Sequence, residues 1–222
     1  MKERGMIFNS EMVRAILEGR KTQTRRPVKP QPELTERSGF SWNGVVFGSG
    51  SDDRETNRNF AHVKCPFGKP GYRIWVRETF RVHSRASDVA TLVYRASVRN
   101  SWTEQTHRVP VAVCNKPAIP EKWTPSIHMP RWASRITLEI TDVRVERLHN
   151  ISERDSLREG LFQLPASGRY CLQPGMQYFG MASHSAKEVY SWLWASIYGE
   201  ESWAANPWVW VIEFKRVEGG AA

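Results

Sequence analysis

The sequence predicts a mixed α+β fold with a strongly twisted sheet or small barrel and flanking helices. Runs of β-branched and aromatic residues with the length of strands recur from residue 71 onward. Amphipathic stretches with capping residues begin near residues 10, 152 and 185. The chain has 222 residues, of which 40% are hydrophobic, so it can bury a core as one large domain or two small ones.

The first predicted element is a helix, followed by a long irregular region. Asn9 or Ser10 can cap this helix, and Gly19 is a natural stop. Its apolar stripe consists of Met12, Val13, Ile16 and Leu17. Residues 27–70 are rich in Pro, Ser, Gly, Asn and charged residues, which predicts an inserted loop that is loosest across residues 47–59.

The middle of the chain is predicted to be mostly strand. GYRIWVRETFRV (71–82) and ATLVYRASV (90–98) have strand composition. Residues 99–132 are predicted to be a second insertion, because four prolines between residues 115 and 132 exclude regular structure there. SRITLEITDVRVERL (134–148) follows as a long strand whose apolar alternation changes phase near Asp142, as a bulge would cause.

The last third predicts two helices and a closing strand. SERDSLREG (152–160) reads as a short capped helix, and residues 161–184 as a third insertion. Ser185 and Glu188 form a capping box for a helix that ends at Gly199, with Val189, Leu193 and Ile197 on one face. NPWVWVIEFKRV (206–217) is apolar on both faces, which predicts a central strand.

Charge and composition restrict the class of partner. Thirty-two Lys and Arg against 23 Asp and Glu give a formal net charge of +9, which favours anionic partners such as nucleic acid or nucleotides. No apolar run reaches the roughly 20 residues of a membrane span, and a signal peptide is absent, so we expect a cytoplasmic protein without membrane contact.

Neither a metal nor a cofactor is predicted. The three cysteines, Cys65, Cys114 and Cys171, are far apart and form no C-x-x-C pair, so reduced thiols are expected. His62 and Cys65 in HVKC come nearest to a metal signature, but the sequence offers no adjacent third and fourth ligands.

The segment ILEGRKTQTRR (16–26) places a lysine among arginines and hydroxyls. Positive neighbours or desolvation lower the pKa of a lysine and make its neutral amine available as a base. Lys21 could then remove the proton of Thr22 or Thr24 and create a nucleophile. A regular strand would point Lys21 and Thr24 to opposite faces, so a shared site needs a turn or bulge after Gly19. A helix end with favourable cations, followed by a solvated basic strand, explains the same residues.

In addition, several blocks of the chain resemble the ASCH family, whose domains share a PUA-like fold, a small β-barrel with peripheral helices. The resemblance rests on ILEGRKTQTRR, GYRIWVRETF, ITLEITDVRVERLHNISERDSLREG, VYSWLWASIYG and PWVWVIEFKRV, in this order and over about half of the chain. It implies a single elaborated ASCH/PUA-like domain across residues 1–222, with insertions at about 27–70, 99–132 and 161–184. The chain is longer than the smallest members and is similar to the larger members of bacteriophages and prophages, which implies a bacterial host cell.

The resemblance also implies an activity. Small bacterial members are acetylcytidine amidohydrolases, which use a Lys, a Thr three residues later and a Glu on the short helix. These positions correspond here to Lys21, Thr24 and Glu159, with Glu153 and Asp155 as alternatives on the same predicted helix. Lys21 would be the base, Thr24 the nucleophile, and Glu159 would orient the lysine or protonate the leaving amine. Arg20 or Arg25 would stabilise the oxyanion, and Arg26 could meet a phosphate.

Other ASCH members are proposed to bind RNA, to cleave it or to act as coactivators, so a non-catalytic RNA- or DNA-binding module or a ribonuclease is the alternative, with RNA favoured over DNA. A protein-binding phage accessory role also stays open. The candidate binding residues beyond Lys21 are His128, Arg131 and Trp132 in the proline-rich stretch, where Trp123, Lys122 and Arg135 also lie. The rings of Trp123 and Trp132 could stack on bases, or they could pack against the cations of a structural loop. Trp192, Trp194, Trp208 and Trp210 are predicted to be core residues.

Overall fold

The computed structural model describes residues 2–35, 39–47, 53–97, 106–119 and 121–217. These residues form a mixed α+β protein, as predicted, and its strands belong to several sheets. The strands are β1 (Glu3–Ile7), β2 (Gln23–Pro27), β3 (Glu33–Leu34), β4 (Phe40–Trp42), β5 (Val45–Phe47), β6 (Arg73–Arg77), β7 (Phe80–Arg85), β8 (Val89–Tyr94), β9 (Thr106–Pro110), β10 (Thr137–Arg147), β11 (Phe162–Gln163), β12 (Tyr170–Cys171) and β13 (Trp208–Arg216). The α-helices are α1 (Ser10–Leu17), α2 (Asp53–Lys64), α3 (Glu153–Arg158), α4 (Ala186–Tyr198) and α5 (Glu200–Ala204).

The chain divides into two compact units, which are described separately. The first unit contains Met1–Glu18, Tyr72–Glu139 and Arg216–Ala222. In it, β1 pairs parallel with β6, and β6 pairs antiparallel with residues 137–139 of β10. A second sheet has the order β7-β8-β9, and its core includes Phe80, Val82, Leu92, Tyr94 and Met129. The predicted first helix is confirmed as α1, and its cap is Asn9, whose side chain accepts a hydrogen bond from the Met12 amide.

The second unit contains Gly19–Gly71 and Ile140–Lys215. Here β13 pairs antiparallel with β2 and places Ile212 opposite Thr24, while the remaining part of β10 lies on the other side of β13. α4 packs its buried residues Val189, Tyr190 and Trp194 into a core with Val209 and Val211 of β13. β3, β4 and β5 form a small antiparallel sheet.

Residues 27–70 are the largest error of the sequence analysis. The predicted irregular loop is wrong for the described residues of this range, which form β3, β4, β5 and α2; residues 36–38 and 48–52 lie outside the described residues. The physical reason is tertiary packing, because aromatic rings scattered among the polar residues cluster on the closing strand. The cluster consists of Phe40, Trp42, Phe47, Phe60, Trp208 and Trp210, with neighbouring centroids 4.2 to 5.9 Å apart.

Three further local predictions are confirmed, and one is wrong. The described residues of 115–132 contain 3-10 turns at Ser126–His128 and Arg131–Ala133 and no α-helix, and residues 99–105 and 120 lie outside the description. The burial pattern along β10 changes phase between Ile140 and Val143, as expected. Residues 161–184 form only the short strands β11 and β12 and a 3-10 turn at Met176–Phe179. Ile197 was expected in the core but is 40% exposed, since the buried stripe of α4 follows Tyr190 and Trp194 instead.

The PUA-like barrel stays a prediction. No sheet formed by the described residues closes into a barrel. Within the same residues, every helix is too short or too polar to cross a membrane.

Candidate functional site

Lys21 is fixed in place by its backbone neighbours on both sides. It forms an isolated antiparallel bridge with Glu159, next to the start of β2. The adjacent Thr22 amide donates to the Arg158 carbonyl at 2.9 Å, and the Thr22 carbonyl accepts from Phe214 on β13 at 2.9 Å. The chain around Lys21 therefore joins the end of α3 to the closing strand.

The end of α3 presents Glu159 to this segment. Ser152 caps the helix by accepting from the Asp155 amide at 3.0 Å, and Glu159 is the last residue with helical backbone angles. Gly160 follows with φ of 107°, a left-handed conformation that costs a glycine little and that stops the helix. The predicted helix with its cap and its glycine stop is confirmed.

Lys21 and Glu159 form a buried ion pair across 138 residues of sequence. Lys21 Nζ lies 2.7 Å from Glu159 Oε2 and also donates to the Glu159 carbonyl at 2.9 Å. The two side chains are 0% and 2% exposed. Burial lowers the pKa of the Lys21 amine, and although Glu159 opposes this effect, the pKa stays below its usual value. The positive charges of Arg26 and Arg25 lower it further.

Arg25 binds the second oxygen of the same carboxylate. Its Nη1 donates to Glu159 Oε1 at 3.1 Å, and its Nη2 contacts Glu146 at 2.6 Å and Asp155 at 3.3 Å. The Arg25 side chain is 0% exposed. Burial alone would lower the pKa of Arg25, but Glu159 and Glu146 outweigh it and raise this pKa. Arg25 is therefore a bound structural cation in this site and does not face solvent.

Further ion pairs extend this site into a network with four basic and four acidic side chains. Arg144 contacts Glu146, Asp155 and Glu213 at 3.2, 3.1 and 2.5 Å. Arg158 binds Glu213 with both Nη atoms, at 3.1 and 2.6 Å. The members of what we call the Lys21 network are Lys21, Arg25, Arg144, Arg158, Glu146, Asp155, Glu159 and Glu213. When all eight groups are ionised, the network has no net charge.

Thr24 lies on β2 but is not bonded to Lys21. It is 1% exposed, and its neighbour Gln23 donates to the Asp155 carbonyl at 3.1 Å. Alternation along β2 places Thr24 on the face opposite to Gln23 and Arg25, which both contact α3. Among the described residues, the hydrogen bonds of Lys21 Nζ go to Glu159 and not to the Thr24 hydroxyl.

Arg20 and Arg26 are half-buried beside this site. Arg20 donates to the Gly160 carbonyl, and its guanidinium carbon lies 3.5 Å from the ring centroid of Phe162. Arg26 on β2 lies opposite Trp210, and its charge acts on Lys21.

The remaining predicted residues belong to the first unit. His128 is exposed at the end of a 3-10 turn, and Arg131 is exposed with its Nε 2.9 Å from Glu3 Oε2. Trp132 packs edge-on against the buried Phe80 at 6.2 Å, so it supports the core. The Arg81 guanidinium lies 4.8 Å from the Trp123 ring, in agreement with cation–π packing in a structural loop.

The acidic half of the Lys21 network was not predicted from the sequence, except for Glu159 and the alternative Asp155. One signal was available: Glu213 is a charge within the apolar strand WVWVIEF, and a charge in such a strand needs a cationic partner. A second missed feature is the buried Glu78 of the first unit, which Arg135 binds through two hydrogen bonds of 3.0 and 3.1 Å.

The described part of the chain holds no group of three or more His, Cys, Asp or Glu side chains arranged to bind a metal ion. His62 Nε2 lies 3.0 Å from Asp142 Oδ1. Comparison of the chain with protein-family models, with curated proteins and with solved structures finds no match.

Proposed function

We propose that this chain is an ASCH-family protein with a PUA-like fold whose Lys21, Thr24 and Glu159 remove an acyl group from the exocyclic amine of a modified cytidine. The observation that carries the proposal is the 2.7 Å contact between Lys21 Nζ and Glu159 Oε2. The ASCH resemblance assigns both residues to one site although 138 residues separate them in sequence.

The chemistry follows the ordinary course of acyl transfer. In this proposal the Thr24 hydroxyl attacks the amide carbonyl carbon, and the neutral Lys21 amine takes its proton through water, since the two side chains are not hydrogen-bonded to each other. The C–N bond breaks, the cytosine amine leaves with a proton returned from the site, and water hydrolyses the threonine ester to acetate. The lowered pKa of Lys21 supports this role, because a base must be uncharged to accept a proton.

The test is turnover of acetylcytidine by the purified protein, followed as release of cytidine by chromatography. We expect Thr24→Ala to reduce kcat by about 100-fold or more, because the nucleophile is lost, and Thr24→Ser to retain part of the activity. Glu159→Gln should also reduce kcat.

Thr22→Ala is the matched control, since it removes a hydroxyl two residues away that accepts a hydrogen bond from Arg158 Nε at 3.3 Å. It should leave kcat within a factor of about three. No turnover by the wild-type protein, or equal losses in Thr22→Ala and Thr24→Ala, would contradict the proposal.

A non-catalytic RNA-binding module is the second candidate, and the charge distribution favours it. The Lys21 network is neutral when ionised, so the formal net charge of +9 is carried by residues outside it. His128 and Arg131 are exposed and could contact phosphates. We expect single-stranded RNA to bind with a steep salt dependence, and Arg131→Gln to lower the slope by about 0.7.

Fluorescence anisotropy at several salt concentrations measures this slope, with DNA of the same sequence as the comparison. Affinity that does not change with salt would exclude the binding module. Cleavage of the RNA in the presence of a chelator would identify a ribonuclease instead.

A further inference from the structure

Glu159 divides its carboxylate between two cations. Oε2 contacts Lys21 at 2.7 Å and Oε1 contacts Arg25 at 3.1 Å. All three side chains are at most 2% exposed, so water does not screen these charges. A carboxylate shared in this way stabilises the ammonium form of Lys21 less than a carboxylate that faces Lys21 alone.

Arg25 is held independently of Lys21. Two further carboxylates bind it, Glu146 at 2.6 Å and Asp155 at 3.3 Å, and its guanidinium carbon lies 6.0 Å from the centroid of the Tyr190 ring. Because these contacts do not involve Lys21, the guanidinium stays in place whether Lys21 is charged or neutral.

We propose that Arg25 is a positioning residue of this site: by binding one oxygen of Glu159, it leaves Lys21 with a shared carboxylate and lets the buried amine release its proton. The inference rests on the proposed function for its biological meaning. Its physical content, the effect of Arg25 on the charge of Lys21, can be measured without turnover.

The surroundings of Lys21 agree with this role. The charged and titratable groups that act on the amine are Glu159 from α3 and Arg25 and Arg26 from β2. Tyr190 on α4 faces Glu159 and Arg25, and burial with the nearby Glu159 raises its pKa well above the usual value, so it stays neutral. Glu159 therefore supplies the negative charge that retains the proton on Lys21, and the two arginines oppose it.

The experiment follows the Lys21 amine by NMR in protein with isotope-labelled lysine side chains, and the signal is assigned by its loss in Lys21→Arg. In the wild-type protein we expect the amine to lose its proton below the pH at which ordinary lysines do. Arg25→Gln should move the midpoint to higher pH, because Glu159 then faces Lys21 alone and a nearby positive charge is gone. Glu159→Gln should move it to lower pH, because the ammonium form loses its counter-ion.

Arg58→Gln is the control. It removes an arginine outside the Lys21 network, whose Nη2 lies 2.7 Å from Asp142 Oδ2, so the Lys21 midpoint should not change. If Arg25→Gln does not fold, Arg25→Lys replaces it. That variant keeps one charge but cannot bridge three carboxylates, and its midpoint should lie above that of the wild-type protein.

A midpoint in Arg25→Gln, or in its substitute Arg25→Lys, that is equal to or below the wild-type value overturns the inference. So does a wild-type Lys21 that stays charged up to the pH of unfolding. Turnover distinguishes this failure from that of the proposed function. If acetylcytidine is hydrolysed, the activity of Arg25→Gln should rise at a higher pH than that of the wild type. A shifted Lys21 titration without turnover removes the hydrolase and keeps the role of Arg25.

Discussion

Two buried glutamates, one in each unit, are paired with cations in different ways. Glu78 of the first unit gives both oxygens to a single guanidinium, that of Arg135. Glu159 of the second unit gives one oxygen to Lys21 and the other to Arg25. Both side chains are 2% exposed, so the difference lies in the number of cations and not in burial.

The pKa values of Glu78 and Glu213 differ in the direction of their shift. Burial raises the pKa of Glu78, and Arg135 only partly offsets this effect. The pKa of Glu213 in the Lys21 network shifts in the opposite direction: burial would raise it, but Arg158 and Arg144 together lower it below its usual value. One guanidinium does not compensate a fully buried carboxylate, whereas two compensate a half-buried one. Glu78 and Glu213 therefore differ both in burial and in the number of cations that bind them.

The largest effect is expected from the removal of Arg135. Arg135→Met leaves Glu78 buried without its cation, and we expect the free energy of unfolding to fall by about 3 to 5 kcal/mol. Urea unfolding followed by circular dichroism measures this loss. The double variant Arg135→Met with Glu78→Leu should lose less than the single variant, since no unpaired charge remains. A single variant as stable as the wild type would contradict the comparison.

A smaller loss is expected from Lys21→Met. Glu159 then loses one charged hydrogen bond but keeps Arg25, so the free energy of unfolding should fall by about 2 kcal/mol. The same urea experiment compares the two variants directly. If Lys21→Met costs more than Arg135→Met, the second cation does not protect the carboxylate, and the interpretation of the Lys21 network is wrong.

The dependence of stability on pH tests the sign of the Glu213 shift. Its pKa is lowered in the folded state, so Glu213 contributes stability above the usual pKa of a glutamate, and this contribution is lost as the pH falls through the folded pKa. Glu213→Gln should reduce stability by about 1 kcal/mol at neutral pH and less at acidic pH. Thermal unfolding between neutral pH and the acid range measures the slope.

Glu78 provides the opposite slope. Its raised pKa means that the folded state binds the proton more tightly, so its contribution declines as the pH rises from the usual glutamate pKa to the folded pKa. Glu78→Gln should remove that decline. If Glu213→Gln and Glu78→Gln both change the pH dependence of wild-type stability in the same direction, the contrast between the two units is contradicted.

The sequence carried local information well. Asn9, Ser152 and Ser185 were recognisable as caps because a short polar side chain before an amphipathic run satisfies free amides at the helix start. The long strand β10 and the closing strand β13 were visible from their apolar alternation. Composition failed for residues 27–70, because Phe40 and Phe47 pack against Trp208 and Phe60 packs against Trp210, both far away in sequence.

The candidate site could also be predicted only in part. The pairing of Lys21 with Glu159 followed from the ASCH resemblance, by counting along ISERDSLREG, with Glu153 and Asp155 as alternatives. Lys21 Nζ and Glu159 Oε2 lie 2.7 Å apart. Arg25 was expected near an oxyanion, yet its guanidinium binds Glu146, Asp155 and Glu159. No local pattern identifies these partners, since they come from β10 and α3 and meet Arg25 only in the folded chain.

The smallest predicted effect compares the caps of two helices. Ser152→Ala on α3 and Asn9→Ala on α1 each remove one hydrogen bond to a free amide, and each should cost about 1 kcal/mol of unfolding free energy. α3 also carries Asp155 and is followed directly by Glu159, so Ser152→Ala should add a second effect that Asn9→Ala lacks. Because a frayed α3 displaces the carboxylates that hold Arg25, the NMR signal of the Lys21 amine should shift in Ser152→Ala and stay unchanged in Asn9→Ala. Equal signals in the two variants would show that the Lys21 network does not depend on the start of its helix.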